Sequence, residues 1–213
     1  MEYNDGMPLA ASLCLAAALA APPSPAAEAL ARKVQAYYET TRDLRAGFVQ
    51  TYTYAAAGRT TVSRGTLLVK KPGRMRWDYA SPSPKTVAVV GSRLTQYEPE
   101  PNQVYVDEKF DATAMSAAVA FLLGKGSLEK EFDLAVGDGG GLLLRPRRED
   151  PRVESVTLFV GPSGEVTRTQ VVDGQGNVND IAFEGLVRNA GLPDSDFEVR
   201  VPADARRVRM PGR

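Results

Sequence analysis

The stretch GTLLVKKPGRMRWDY, residues 65–79, has the pattern of two β-strands joined by a tight turn, and the rest of the predicted sheet is arranged around it. The Pro-Gly pair at 72 and 73 marks the turn, since proline fixes φ and glycine accepts positive φ. In the second strand Met75, Trp77 and Tyr79 lie on one face, because side chains alternate along a strand. The residues on the opposite face are Arg74, Arg76 and Asp78. The pattern therefore predicts a β-hairpin with one broad apolar face and one charged, solvated face.

Composition is that of an ordinary globular protein. The 213 residues are 43% hydrophobic and 24% charged, which is enough for one domain with a sizeable core. Lys and Arg together number 26, as do Asp and Glu, so the formal net charge is zero. A neutral chain gives no reason to expect nucleic acid or an anionic membrane surface as a partner.

An apolar run at residues 8–21 precedes the domain. It is too short to span a bilayer and has the length of a signal-peptide core, with an A-x-A cleavage pattern at 18–20. We predict a signal peptide over residues 1–20 and a single domain over 21–213. Glu2 and Asp5, rather than basic residues, precede the run. The alternative is a cytoplasmic protein with an apolar N-terminal arm.

The only cysteine, Cys14, lies inside this run and would leave with it. The mature chain would then hold no thiol and no disulfide. A lipidated cysteine is the alternative, and the bulky Leu13 before it argues against that.

After the run the sequence alternates short strands with polar turns. Apolar residues at helical spacing predict a first helix over 26–44. The predicted strands cover residues 46–54, 60–64 continuing into 66–69, 74–79, 86–90, 94–97, 103–106, 132–136, 142–145, 153–160, 166–172, 178–183 and 197–201. Without βαβ alternation a parallel sheet is not expected. A strongly curved antiparallel sheet, or open barrel, with helices on its concave side fits this inventory. The basic tail after Pro202 is expected to be an exposed end rather than a docking element.

Residues 111–123, DATAMSAAVAFLL, interrupt the strands. Asp111 is a suitable N-cap, and the run ends at a Gly-Lys-Gly sequence. The predicted helix is apolar nearly all round, so it must be covered on more than one side. It is either an ordinary core helix or a plug in an apolar cavity.

Catalytic chemistry has few candidates. The chain contains no His, which excludes Ser-His, Cys-His and His-ligated metal sites. Asp107, Glu108 and Asp111 lie close in sequence, but a strand end and a helix cap account for them. The Gly-rich segments at 138–141 and 173–177 are typical of hairpin turns rather than of phosphate or calcium loops. We therefore expect no enzyme, cofactor or metal site, and a functional surface that is apolar.

Several motifs resemble one known family. They are GFVQT at 47–51, the run at 65–79, SP at 81–82, the strand at 87–91, YEP at 97–99, the helical segment at 115–123 and DGQGNVNDIAF at 173–183. In this order they are similar to the periplasmic carriers of outer-membrane lipoproteins, the LolA-like proteins. The resemblance covers nearly all of the chain after the signal peptide.

The resemblance implies an α+β fold. In it, an incomplete, half-open antiparallel β-barrel and a helical lid, about residues 111–123 here, enclose an apolar cavity. It also implies a periplasmic carrier that performs no chemistry and holds the acyl chains of lipoproteins. Such a carrier collects acylated lipoproteins from an inner-membrane lipoprotein-releasing ABC transporter and passes them to an outer-membrane lipoprotein receptor. A monomer is expected of a shuttle.

The family's cavity-lining pattern falls on Met75, Trp77 and Val87, and by alternation on Tyr79 and Val89. Methionine adapts to irregular ligands and tryptophan offers a broad surface, so both suit acyl chains. The remaining members of the predicted lipid-binding set are Phe48, Met115, Val119 and Leu122. A plain sheet core is the alternative role for the strand residues.

Lys71 departs from the family pattern. The family often has Arg at this position, where the side chain is thought to bond lid carbonyls. Lysine is a point donor on a flexible stem, whereas arginine is a planar fork. We therefore predict that Lys71 latches the lid more loosely, with an exposed strand-end lysine as the alternative.

Three other functions compete with the lipoprotein carrier. An outer-membrane receptor of similar fold should carry a lipidated cysteine. A carrier or sensor of other amphiphiles, such as glycolipids, would use the same apolar walls, which read cargo shape poorly. An enzyme of lipid metabolism is disfavoured by the missing His and G-x-S-x-G motif.

Overall fold

A computed structural model describes residues 24–110 and 127–208. Helix α1 spans Pro25–Glu39, and Ser24 caps it by accepting a hydrogen bond from the Ala27 amide at 3.2 Å. The helix buries one stripe against the sheet, made of Ala27, Ala31, Val34, Tyr37 and Tyr38.

In the described residues, twelve strands form one sheet. The strands are β1 (Asp43–Tyr54), β2 (Arg59–Lys70), β3 (Arg74–Ser81), β4 (Lys85–Val90), β5 (Arg93–Glu98), β6 (Gln103–Asp107), β7 (Phe132–Val136), β8 (Leu142–Pro146), β9 (Ser155–Val160), β10 (Val166–Val172), β11 (Val178–Arg188) and β12 (Arg206–Val208). The spatial order is β12-β6-β5-β4-β3-β2-β1-β11-β10-β9-β8-β7, with β12 and β7 as the two edges. The predicted antiparallel, open sheet is confirmed, with one parallel pair between β12 and β6.

The predicted hairpin at 65–79 is present as β2 and β3. Leu67 pairs with Trp77 and Val69 with Met75 across it. Gly65 lies opposite Phe48 in the neighbouring strand. A Cβ atom at Gly65 would lie 2.8 Å from the Phe48 ring and closer still to the Asp78 carbonyl oxygen. Glycine is therefore required where the Phe48 ring crosses β2.

The sheet has two faces of different character. The inner face, which packs on α1, carries the core side chains Leu44, Leu67, Val69, Met75 and Val89. The opposite, outer face is crossed by the C-terminal strap, residues 190–201. A 3₁₀ helix in the strap, Asp194–Phe197, buries Phe197 to 1% exposure.

The strap corrects the prediction of a solvated face on β3. The Arg76 guanidinium donates to the Asp196 and Glu198 carbonyls of the strap, at 3.0 and 2.9 Å, and to the Asp78 carboxylate at 2.7 Å. Its side chain is only 24% exposed. The charged residues of β3 thus hold a covering segment instead of facing open water.

Two other segments differ from their predictions. The helix predicted to reach Leu44 ends at Glu39 with Thr40 as its C-cap, and Leu44 belongs to β1, where it pairs with Val69. An isolated apolar residue fits either periodicity, and sheet pairing decides it. The strand predicted at 197–201 is wrong, since this segment belongs to the strap.

The basic tail is exposed at Arg206 and Arg207, as predicted, but it is not an irregular end. Its residues Arg206–Val208 form β12, which pairs in parallel with β6. A short helix that the sequence did not predict, α2, spans Leu128–Glu131. The helix predicted at 111–123 lies outside the described residues.

Candidate functional site

The inner face carries an aromatic cluster at its centre. Phe48 contacts Trp77 and Tyr79 edge-on, with ring centroids 4.8 and 5.1 Å away, and Trp77 stacks on Tyr79 at 6.3 Å. Such geometries add favourable quadrupole contacts to apolar burial. Strands β1 and β3 hold the three rings, and Gly65 between them provides the room.

Six predicted site residues lie together on this face, and they differ in accessibility. Phe48, Met75 and Val89 are fully buried, at no more than 2% exposure each. Trp77, Tyr79 and Val87 are half-buried and pack against that core. The first three therefore belong to the core in this structure, while the second three leave part of their apolar surface exposed on the inner face. Met115, Val119 and Leu122 lie outside the described residues.

The other half of the sheet extends this apolar surface. Phe183 pairs with Phe48, Ile181 with Gln50, and both are half-buried against the core. Val171 on β10 continues the same face. The alternation of Ile181 and Phe183 was visible in the sequence. Their place beside Phe48 was not, because the pairing of β1 with β11 joins distant parts of the chain.

Lys71 contacts helix α1. Its ammonium group donates a hydrogen bond to the Tyr38 carbonyl, at the last turn of the helix. A cation at this end also complements the helix dipole. Partial burial lowers the pKa of Lys71, and Glu39 offsets part of that shift. Within the described residues the donor therefore ties the β2–β3 turn to α1.

Burial also shifts the tyrosines of the inner face. It raises the pKa of Tyr79, whose ring lies below the Lys85 ammonium at 4.5 Å. It raises the pKa of Tyr38 as well, where the hydroxyl accepts from the Val166 amide. Both hydroxyls are neutral at physiological pH, so the charge beside Tyr79 is that of Lys85. Among residues 24–110 and 127–208, no group of acidic, His or Cys side chains is placed to hold a metal ion.

The fold and the site define a class: an open, mostly antiparallel sheet with a helix and an apolar aromatic cluster on its inner face. The family described as "Outer membrane lipoprotein carrier protein LolA" matches residues 39–200. The chain belongs to this family, as its sequence motifs suggested.

Individual relatives agree with the family assignment. The outer-membrane lipoprotein carrier protein of Dechloromonas aromatica is 32% identical over 174 residues, covering 79% of this chain and 82% of the relative. The protein of the same name from Methylobacillus flagellatus is 31% identical over 177 residues, covering 81% and 85%. An uncharacterized conserved protein from Thermus thermophilus shares the fold, with a TM-score of 0.52 at 14% identity, covering 86% of this chain and 99% of its own. In the described part of this chain, no helix combines the length and hydrophobicity needed to cross a membrane.

Proposed function

We propose that this protein is a periplasmic carrier that binds the acyl chains of lipoproteins on the inner face of its sheet. The observation that carries the proposal is the half-buried surface of Trp77, Tyr79 and Val87, which continues into Phe183 and Ile181. Burying apolar surface gains about 25 cal/mol per Å², so a chain of methylene groups gains affinity at each step along such a face. The names of its relatives, outer-membrane lipoprotein carrier proteins, support the same role.

We further propose that the carrier has a lid, a cavity and a latch. Residues 111–123 form a helical lid, with Met115, Val119 and Leu122 facing the ligand, and together with the half-open barrel they enclose the cavity. Lys71 latches the closed state. Acyl chains and the lid compete for one apolar surface at a similar gain per area. The carrier can therefore open without losing its core, in which Phe48, Met75 and Val89 are fully buried.

The route of the cargo follows from this role. The signal peptide, residues 1–20, directs the chain to the periplasm, and residues 21–213 fold as one monomeric carrier domain. An inner-membrane ABC transporter supplies acylated lipoproteins, and an outer-membrane receptor takes them. No bond is made or broken, so the protein is not an enzyme.

Native mass spectrometry of protein purified from the periplasm tests the proposal. We expect the wild type to carry co-purified lipoprotein or to take up a triacylated lipopeptide. Val87→Glu places a charge on the half-buried inner face and should reduce uptake at least tenfold, because an unpaired charge is costly beside apolar chains. Val62→Glu makes the same change on the outer face, where Val62 is 48% exposed, and should bind normally.

Two outcomes would contradict the proposal. A wild type that neither co-purifies with lipid nor takes up the lipopeptide is not such a carrier. Equal uptake by the Val87→Glu and wild-type proteins would place the site elsewhere. Preferential uptake of a glycolipid over the lipopeptide would favour the second candidate, a carrier or sensor of other amphiphiles.

A further inference from the structure

A polar cluster lies on the inner face immediately beside the proposed acyl-binding surface. Across the sheet, Trp77 pairs with Val87, Val87 with Gln96, and Gln96 with Tyr105. Paired residues on neighbouring strands point to the same face, about 5 Å apart. The apolar surface therefore ends at Gln96, one strand beyond Val87.

Hydrogen bonds hold this cluster in a defined arrangement. The Glu98 carboxylate accepts from the side-chain amides of Gln96 and Gln103, each at 2.7 Å. Gln103 also donates to the Tyr105 hydroxyl at 3.0 Å and accepts from Arg206 at 2.8 Å. Both N–H groups and the carbonyl of Gln103 are thus engaged. Gln103 and Glu98 act as positioning residues.

Gln96 and Tyr105 keep hydrogen-bonding capacity. Among the described residues, Gln96 uses one amide N–H, which leaves the second N–H and the carbonyl oxygen. The Tyr105 hydroxyl accepts from Gln103 and retains its own proton to donate. Two donors and one acceptor, side by side on half-buried strands, complement the C=O and N–H of a peptide group.

We infer that Gln96 and Tyr105 bind the peptide amides next to the acylated end of the cargo. The inference rests on the proposed function, because the apolar face that would hold the acyl chain meets polar side chains at this edge, next to Val87. An amide carried there without a partner would lose its hydrogen bonds to water, at a cost in affinity. The cluster thus lets the carrier distinguish acylated peptides from plain fatty acids.

Binding of two probes tests this inference. The probes are a tripalmitoylated cysteinyl hexapeptide and palmitate, and the variants are Gln96→Leu and Tyr105→Phe in the full chain. Each variant should weaken lipopeptide binding about three- to tenfold, as loss of one or two hydrogen bonds does, and leave palmitate binding unchanged. Tyr97→Phe is the matched control, since Tyr97 lies on the same strand as Gln96, faces outward and bonds Asn102 at 3.2 Å.

The outcomes separate this inference from the proposed function. If the wild type binds the lipopeptide and both variants bind it equally well, the acyl site stands and the amide site is wrong. If a variant weakens palmitate as much as lipopeptide, the residue acts on the acyl chain or the fold, which also overturns the inference. A wild type that binds neither probe overturns both proposals.

Discussion

The two faces of the sheet each bury a phenylalanine, and they hold it in different ways. On the inner face Phe48 packs between the rings of Trp77 and Tyr79, within a core shared with α1. On the outer face Phe197 is the fully buried residue of the strap, which is also held by hydrogen bonds from Arg76 to two carbonyls and from Lys70 to the Leu192 carbonyl. The inner face is thus part of the core, whereas the outer face is covered by a separate segment near the end of the chain.

The largest expected effect tests this difference between the two faces directly. Phe48→Ala should lower the free energy of unfolding by about 3–5 kcal/mol, because the rings around it cannot close the cavity. Phe197→Ala should cost less, about 1.5–3 kcal/mol, because the strap can lift away instead of leaving a void. Urea unfolding compares the two, and hydrogen exchange should localise the Phe197 effect to residues 190–208. Equal losses with uniform exchange would mean that the strap belongs to the core.

Arg76 should have a smaller effect, confined to the outer face. Arg76→Met keeps the aliphatic stem and removes three charge-assisted hydrogen bonds, two of them to the strap. We expect the free energy of unfolding to fall by about 1–3 kcal/mol and hydrogen exchange in the strap to become faster, with lipid uptake unchanged. Reduced uptake would contradict the separation of the two faces.

Two neighbouring lysines, one on each side of the sheet, test the same difference between the faces. Lys71 bonds α1 on the inner side, while Lys70 bonds Leu192 and pairs with Asp194 of the strap. Lys71→Met should lower the free energy of unfolding by about 1 kcal/mol and speed hydrogen exchange at the end of α1. Lys70→Met should have a similar cost but speed exchange only in the strap. Exchange across residues 111–123 tests the lid latch. If Lys71→Met leaves hydrogen exchange in residues 111–123 unchanged, Lys71 is not a latch.

The smallest expected effects are two pH dependences of opposite direction. The hydrogen bond from Lys70 and the charge of Arg74 lower the pKa of Asp194 in the folded protein. Its contribution to stability is therefore present above the pKa that Asp194 has in the unfolded chain, and it is lost as the pH falls through the folded pKa. Burial raises the pKa of Tyr79, so its contribution is present below about pH 10 and lost as pH rises further. In urea unfolding, Asp194→Asn should reduce the acid loss and Tyr79→Phe the alkaline loss. Wild-type slopes in these variants would contradict the assignment.

The sequence predicted the inner face far better than the outer face. Alternation in β3 correctly placed Met75, Trp77 and Tyr79 together, because period two is a property of any strand. It could not tell that Met75 is buried and Trp77 half-buried, since burial depends on which distant parts of the chain pack on each position. The strap was missed because Arg76 binds backbone carbonyls, which carry no sequence signature.

The pairing partners of the strands show the same limit. The hairpin of β2 and β3 followed from a local turn signal, whereas β12 beside β6 joins segments far apart in the chain. The amide-binding cluster has this origin too. Gln96 lay inside the strand predicted at 94–97, but Glu98 lay just beyond its predicted end, and the partners Gln103 and Tyr105 depend on the register of the next strand.

The central position of β1 has a consequence for how the chain folds. Its first partner, β2, follows it directly, but its second partner, β11, is made near the end of the chain, where Phe183 meets Phe48. Long-range pairings of this kind slow folding, because loop-closure entropy is lost before the contacts form. Until β11 arrives, one edge of β1 and its apolar residues stay open to solvent. We therefore expect the protein to fold slowly. It should be most prone to aggregation before its last strands have been synthesised and paired.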